Sequence, residues 1–197
     1  MSDLYDQIVE LQSMADVLTA DVGRLQPRLG SRDIQAAVTD DEGMARRLYV
    51  RSIFALIEAL VERHKLLLLQ LAETHVITLK PGVPEALSER VYTVKDNGTV
   101  ADRDQYLQLL RKLRAVYRAA AEGFGAPLKV EFGGRGWQAF QDAINIRDRL
   151  THPKTYNDCH VSGADLDTVD KAEAWFRSLN IEWVRVATAH RKLHKWG

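Results

Sequence analysis

Apolar residues recur every three or four positions through long stretches of this chain, which is the spacing of a helix with one buried face. The first stretch, residues 3–25, carries them at Leu4, Ile8, Leu11, Ala15, Leu18 and Val22. Pro27 and Gly30 follow and predict its end. A second helix is expected over Asp40–Glu73, because its acidic start suits the positive end of a helix dipole. Its length and nearly continuous apolar content indicate the central helix of a bundle.

The segment of residues 76–100 departs from this pattern. It contains Pro81 and Pro84, and two short runs of β-branched residues flank the Asn97-Gly98 pair. Asn-Gly suits the positive φ angles of tight turns. The sequence therefore predicts a small hairpin-like insertion over about residues 76–101.

Three further helices are expected, over about residues 102–122, 137–150 and 163–194. Gly123 ends the first of them, and Pro153 limits the second. Ser162 precedes the third, with Asp165 three positions on as a cap partner. The predicted fold class is all-α: a five-helix bundle of the up-and-down type with a small β-hairpin insertion, forming a single domain over residues 1–197.

The composition is that of an ordinary globular protein, with 46% hydrophobic and 27% charged residues. Its 27 basic and 27 acidic residues balance, so any anion-binding surface must be a local patch. The single cysteine, Cys159, has no partner for an internal disulfide, which fits a reducing compartment. The acidic N-terminus lacks a signal-peptide pattern, and charged residues interrupt the most apolar stretch. We therefore expect a cytoplasmic protein without a membrane partner.

The segment Ile146–Lys154 contains the candidate chemistry. Arg147 and His152 are five positions apart, which on a continuous helix would place them about 140° apart around the axis. Pro153 disfavours helical geometry at the residue before it, so we expect the helix to stop and His152 to turn back toward Arg147. The pair would combine a fixed cation with a group that exchanges protons near neutral pH. Arg149 and Lys154 add positive charge as candidate substrate-binding residues.

This combination suits cleavage of an RNA phosphodiester by its own 2′-hydroxyl. The histidine serves as general base or acid, and the arginine binds the phosphate oxygens as charge develops. Neither a metal nor another cofactor is required. The expected products are a 2′,3′-cyclic phosphate and a 5′-hydroxyl.

The spacing alone is weak support, since about half an Arg-x4-His match is expected by chance in a chain of this composition. A second match, Arg185 to His190, has helix-forming residues between its ends and no proline after it. We interpret it as an accidental match on a solvated helix face. His190 and His194 are four apart but have no accompanying carboxylate or cysteine pattern, so no metal site is predicted.

Structural interpretations compete with the functional ones. Arg147 and His152 would also serve as a helix C-cap, with His152 bonding the terminal carbonyls. Asp148 either orients His152 or pairs with a nearby arginine. Glu58 is a candidate support for Arg147, although an ion pair between Arg51 and Glu58, seven apart on one helix, is favoured.

The segment IRDRLTHPK resembles the signature of HEPN domains, in which an arginine and a polar residue precede a histidine by four to six positions. The layout of the helices RSIFALIEAL, GWQAFQDA and DLDTVDKAEAWF, with VYTVKDNGTV between the first two, is similar to stand-alone bacterial HEPN-like proteins. The likeness covers most of residues 42–180, and only residues 147–152 are specific.

The resemblance implies an all-α bundle, usually a homodimer in which two motifs form one composite cleft. Many members are metal-independent ribonucleases in toxin–antitoxin systems, phage defence or RNA processing, which implies RNA and an antitoxin or regulatory protein as partners. By position, Arg147 and His152 match the catalytic pair, and Asp148 matches the polar residue. Lys154 stands where some toxins carry a modified tyrosine.

Two alternatives remain open from the sequence. The first is a non-catalytic HEPN-like module that binds RNA, a nucleotide or a protein. The second is a structural or regulatory bundle that acts only through dimerisation.

Overall fold

The structure is a computed structural model that describes residues 2–33 and 38–194, without the side chains of residues 2–5, 7, 8, 193 and 194. The side chains of Leu4, Ile8 and His194, on which the sequence analysis draws, therefore lie outside the described residues. The described chain is mostly helical (70%), with five main helices and one antiparallel two-stranded hairpin. The predicted all-α class with a small hairpin is confirmed.

The helices and strands are α1 (Ser2–Leu25), α2 (Asp40–Glu73), α3 (Val83–Leu87), β1 (Arg90–Val94), β2 (Val100–Asp104), α4 (Leu109–Gly123), α5 (Arg135–Thr151) and α6 (Gly163–His194). Short 3-10 turns cover Gln26–Arg28 and Tyr156–Cys159. The one-turn helix α3 was not predicted from the sequence. The predicted caps of α6 are present: the Ser162 hydroxyl and backbone N–H donate to Asp165 Oδ2, each at 2.8 Å.

The predicted start of the third long helix at residue 102 is wrong. β2 pairs with β1 from Val100 opposite Val94 to Asp104 opposite Arg90, and the helix begins at Leu109. The turn itself is as predicted, with Gly98 at a φ of 77°. β2 has the sequence VADRD, which is poor in β-branched residues. Its conformation is therefore set by hydrogen bonding to β1 and not by its own propensity.

The chain divides into two compact units. The first unit comprises Met1–Ile8, Val61–Lys129 and Glu182–Gly197, and the second comprises Val9–Leu60 and Val130–Ile181. The single domain over residues 1–197 stays a prediction. No helix within residues 2–33 and 38–194 has an apolar stretch long enough to cross a membrane.

An aromatic cluster forms the core of the first unit. The imidazole of His64 stacks on Trp183, with ring centroids 4.2 Å apart, and its Nδ1 lies 3.0 Å from the Tyr117 hydroxyl. Burial lowers the pKa of His64 to about 3, so this histidine is neutral in the folded protein. Glu89, at the base of the hairpin, accepts bonds from the ammonium groups of Lys65 and Lys112, both at 2.9 Å. These ionic contacts fix the hairpin to α2 and α4 within this unit.

A second aromatic cluster holds α5 in the second unit. Phe140 of α5 packs against Phe54 of α2 and Trp175 of α6, with ring centroids 6.1 and 5.1 Å apart. Gly136, in the first turn of α5, packs so closely on Trp175 that an added Cβ would overlap the indole ring at Cδ1. The glycine-rich start of α5 therefore permits close packing on α6, and this packing positions the C-terminal end of α5.

Candidate functional site

Helix α5 ends where the sequence predicts. Its last residue is Thr151, and His152 is the C-cap, with a φ of −127° and a ψ of 60°. The His152 N–H still donates to the Asp148 carbonyl at 2.9 Å, so the helical hydrogen-bond pattern extends to this residue. Pro153, which follows, has no N–H to continue it. The helical hydrogen-bond pattern therefore ends directly after His152, one residue later than the sequence analysis expected.

Other residues satisfy the carbonyls at this helix end. The Thr151 hydroxyl donates to the Arg147 carbonyl at 2.9 Å, and Arg51 Nη2 of α2 donates to the Leu150 carbonyl at 2.8 Å. The His152 side chain is exposed and makes no hydrogen bond with any residue in the described part of the chain. His152 thus caps α5 through its backbone only, and its imidazole remains available to a ligand.

The imidazole lies at a cleft of about 480 Å³ that is lined by Asp148, Arg149, His152, Lys154 and Asp158. Asp148 and Arg149 precede His152 by four and three positions, which is the spacing of neighbours on one helix face. Lys154 and Asp158 come from the loop after α5. The structure therefore brings together His152, the polar residue Asp148 and both predicted substrate-binding cations, Arg149 and Lys154.

Arg149 connects the end of α5 to the start of α6. Its Nη1 donates to the His160 carbonyl at 2.7 Å, and its Nη2 lies 2.7 Å from Asp165 Oδ2. By contrast, the Lys154 ammonium makes no ion pair with any residue within 2–33 and 38–194. Lys154 is therefore the cation of the cleft most accessible to an incoming anion.

Asp158 was missed by the sequence analysis. Its Oδ2 accepts the backbone N–H groups of Lys154 and Thr155, both at 2.8 Å. These bonds lower the pKa of Asp158, because they favour its ionised form. The signal was present in the sequence, since Thr155 and Asp158 have the spacing of a capping box. This box forms the 3-10 turn Tyr156–Cys159 and fixes the loop that carries Lys154.

Arg147 lies beside the cleft and is not among the residues that line it. Its Nη2 is 2.9 Å from Glu58 Oε1, its Nη1 is 3.3 Å from Asp148 Oδ1, and its guanidinium carbon lies 5.4 Å from the centroid of the Phe54 ring. Its Nε is buried and has no hydrogen-bond partner among the described residues. No hydrogen bond joins Arg147 to His152 among the described residues, and only His152 of the predicted catalytic pair lines the cleft.

The contacts of Glu58 differ from the favoured expectation. Glu58 binds Arg147, whereas Arg51 binds the Leu150 carbonyl, so the expected Arg51–Glu58 ion pair is absent from the described contacts. Two residues seven apart are separated by two helical turns, roughly 10 Å, which is too far for a direct pair without bending both side chains. Glu58 therefore supports Arg147, which the sequence analysis had considered but had favoured less than an Arg51–Glu58 ion pair.

The second Arg-x4-His match does not form a site. Arg185 binds Glu182 at 2.8 Å, and His190 is buried against the Phe124 ring. The expectation that this match lies on a solvated face is wrong for His190, because that residue follows Trp183 and Val186 on the buried face of α6. On the uninterrupted helix α6, the Arg-x4-His spacing therefore leaves Arg185 and His190 with different neighbours, and they form no common site.

Among the described residues, no group of three or more histidine, cysteine, aspartate or glutamate side chains is arranged to hold a metal ion. Comparisons with family models, with curated proteins and with solved structures find no match to this chain. A functional assignment therefore depends on the cleft itself and on the likeness of its motif to HEPN domains.

Proposed function

We propose that this protein is a metal-independent endoribonuclease of the HEPN type, in which His152 transfers the proton. The observation that carries the proposal is the exposed imidazole at the end of α5, free of hydrogen bonds to the described residues and lining a cleft with two cations. Imidazole is the side-chain group that most often transfers protons in enzymes, so a solvent-accessible imidazole is suited to general acid–base catalysis.

The proposed reaction needs no external reactant. His152 accepts the proton of the RNA 2′-hydroxyl, the 2′-oxygen forms a bond to phosphorus, and the bond from phosphorus to the 5′-oxygen breaks. The leaving oxygen then takes up the proton that His152 has accepted, so the step balances at a single histidine. The products are a 2′,3′-cyclic phosphate and a 5′-hydroxyl. Lys154 and Arg149 offset the charge that develops on the phosphate oxygens.

In the homodimer that the resemblance implies, Arg147 of one protomer is proposed to reach the phosphate at His152 of the other protomer by exchanging one ion-pair partner. Glu58 holds Nη2, while the partner of Nη1 is Asp148, which itself lines the cleft. A phosphate that replaces Asp148 at Nη1 leaves the Glu58 bond intact. In this proposal Glu58 is a positioning residue, and Asp148 is the ion-pair partner of Arg147 Nη1 when no substrate is bound.

The same proposal includes a cytoplasmic location, an RNA substrate, and an antitoxin or regulatory protein that restrains the activity. The single cysteine suits a reducing compartment. A role in toxin–antitoxin systems or phage defence belongs to the resemblance and is proposed on that basis.

The decisive test is cleavage of a single-stranded RNA in EDTA by the wild-type protein, His152→Ala, Arg147→Ala and His160→Ala. His160 is an exposed histidine of the same loop and serves as the matched control. We expect His152→Ala to lose activity by at least about 100-fold, the usual contribution of general acid–base catalysis, and His160→Ala to keep it. Equal cleavage by His152→Ala and wild type would overturn the proposal.

A second candidate is a non-catalytic binding module. It is favoured by the engagement of both arginines with carboxylates, Arg147 with Glu58 and Arg149 with Asp165. Of the two cations that line the cleft, Arg149 and Lys154, this arrangement leaves Lys154 without an ionic partner among the described residues. The module would bind RNA without turnover, so end-group analysis that detects a 2′,3′-cyclic phosphate would reject it.

A further inference from the structure

Tyr156 is among the most exposed side chains of the described protein, with 92% of its surface accessible. It is the first residue of the 3-10 turn Tyr156–Cys159. A tyrosine ring left in water forgoes the burial that usually stabilises large side chains. The fold therefore gains little from an aromatic residue at this position.

The turn that carries Tyr156 is held by its neighbours. The Asp158 carboxylate accepts the N–H groups of Lys154 and Thr155, and the Asp158 N–H donates to the Thr155 carbonyl at 3.2 Å. None of these bonds uses the tyrosine side chain. The ring is thus presented on a loop whose backbone is already organised.

Tyr156 also lies between two residues that line the cleft. Lys154 is two positions before it and Asp158 two positions after it. Two residues of chain span at most about 7 Å, so the tyrosine backbone lies within one nucleotide's reach of the cleft. An exposed aromatic ring beside an accessible cation is the combination that binds single-stranded nucleic acid, in which bases stack on the ring and the cation contacts the backbone.

Resting on the proposed function, we infer that Tyr156 stacks a base of single-stranded RNA next to the phosphate bound at Lys154 and His152. The substrate class that follows is RNA with an unpaired base at this position. A base inside a duplex has both faces covered by its neighbours and does not stack on a side chain without being displaced. Tyr156 therefore selects single-stranded segments, with little preference for the identity of the base.

The test measures binding separately from cleavage. All proteins carry His152→Ala, and binding of a fluorescently labelled single-stranded RNA is followed by anisotropy in EDTA. To this background are added Tyr156→Ala, Tyr156→Phe or, as control, Tyr106→Ala. Tyr106 is 83% exposed and is not among the residues that line the cleft. The substitutions replace exposed side chains, so urea denaturation of each variant should match that of the background within about 0.5 kcal/mol.

We expect Tyr156→Ala to weaken binding of the single strand by about 10- to 100-fold, which is the range that stacking on an aromatic ring provides. Tyr156→Phe keeps the ring and should bind within about twofold of the background, as should Tyr106→Ala. The same RNA annealed to its complement should bind more weakly and should not respond to Tyr156→Ala.

Unchanged binding of Tyr156→Ala would overturn the inference, as would the absence of measurable RNA binding in the background protein. If Tyr156→Ala weakens binding while the wild type cleaves no RNA, the stacking role stands and the proposed ribonuclease activity fails. If the wild type cleaves RNA and Tyr156→Ala binds normally, the activity stands and the stacking role fails.

Discussion

Arg147 and Arg149 are separated by one residue and leave α5 on opposite sides. Positions two apart on a helix lie about 160° apart around its axis, whereas positions three and four apart share a face. Arg149 and Asp148 therefore share the cleft with His152, while Arg147 faces Glu58 and Phe54 of α2. The motif thus places Arg149 beside His152 in the cleft. Arg147 is instead bound by the carboxylates of Glu58 and Asp148.

The buried histidine His64 predicts how stability depends on pH. The pKa of His64 in the folded protein is lowered to about 3, from an ordinary value near 6.5. Between pH 3 and pH 6.5, the unfolded state therefore binds a proton at this residue that the folded state does not bind. The contribution of His64 to stability is therefore complete above pH 6.5 and is lost as the pH falls, by about 1.4 kcal/mol per unit. His64→Gln removes this dependence.

We expect the stability difference between wild type and His64→Gln to narrow by about 2 kcal/mol between pH 7 and pH 5, measured by urea denaturation at each pH. His160→Gln, an exposed histidine, is the control and should run parallel to the wild type. A constant difference between wild type and His64→Gln across this range would contradict the neutral, buried state of His64.

At the scale of elements, the end of one helix and the start of the next define the cleft. Arg149 of α5 binds Asp165 in the first turn of α6, and the loop between them is closed by the Thr155–Asp158 box. Upstream, the buried Arg46 of α2 donates to the carbonyls of Leu29 and Val161, at 2.8 and 3.1 Å. Two guanidinium groups thus fix the start of α6: Arg46 through the Val161 carbonyl just before the helix, and Arg149 through Asp165 in its first turn.

Gly163 provides a test of this packing. A Cβ at Gly163, the first residue of α6, would overlap the backbone carbonyl of Arg32. Because that neighbour is backbone, it has little freedom to move away, and we expect Gly163→Ala to destabilise the protein by about 3 kcal/mol. At Gly133 no atom lies within 4 Å of the corresponding Cβ, so Gly133→Ala is the matched control. Its unfolding midpoint in urea should stay close to that of the wild type, and a similar midpoint for Gly163→Ala would show that the close approach does not exist.

At the scale of the whole molecule, the absence of a hydrogen bond between Arg147 and His152 within the described residues of one chain gives the homodimer proposal a specific consequence. A composite site takes its histidine from one protomer and its arginine from the other. Arg147→Ala and His152→Ala, each impaired alone, should then complement each other in mixed dimers. We expect the co-expressed pair, purified through two different tags, to regain a substantial fraction of wild-type cleavage, roughly a quarter or more, under the symmetry of a twofold dimer.

The control for this experiment is a mixed dimer in which both protomers carry His152→Ala, and it should stay inactive. Light scattering should give twice the chain mass of 22.3 kDa. Activity no higher than that of the separate variants would show that each protomer works alone, and a monomeric mass would contradict the dimer directly.

Local sequence signals determined most of the secondary structure. Hydrophobic periodicity, Pro153, the Ser162–Asp165 cap and the Asn97-Gly98 turn each act over a few residues. The sequence alone therefore placed the C-terminal end of α5, the start of α6 and the turn of the hairpin. The same signals identified His152 at a helix end. The extent of β2 was not accessible in this way, since it depends on hydrogen bonds to β1 and not on its own residues.

Only the tertiary structure decided what surrounds His152 and Arg147. Glu58 and Phe54 contact Arg147 from a helix about ninety positions earlier in the chain. Arg51 donates to the Leu150 carbonyl at the end of α5, whereas the competing C-cap interpretation had His152 bond the terminal carbonyls. Such contacts depend on how α2 and α5 pack, which residue spacing within one segment does not specify. The sequence thus identified the residue types of the candidate site, and packing determined that Arg149 shares the cleft with His152 while Arg147 lies beside it.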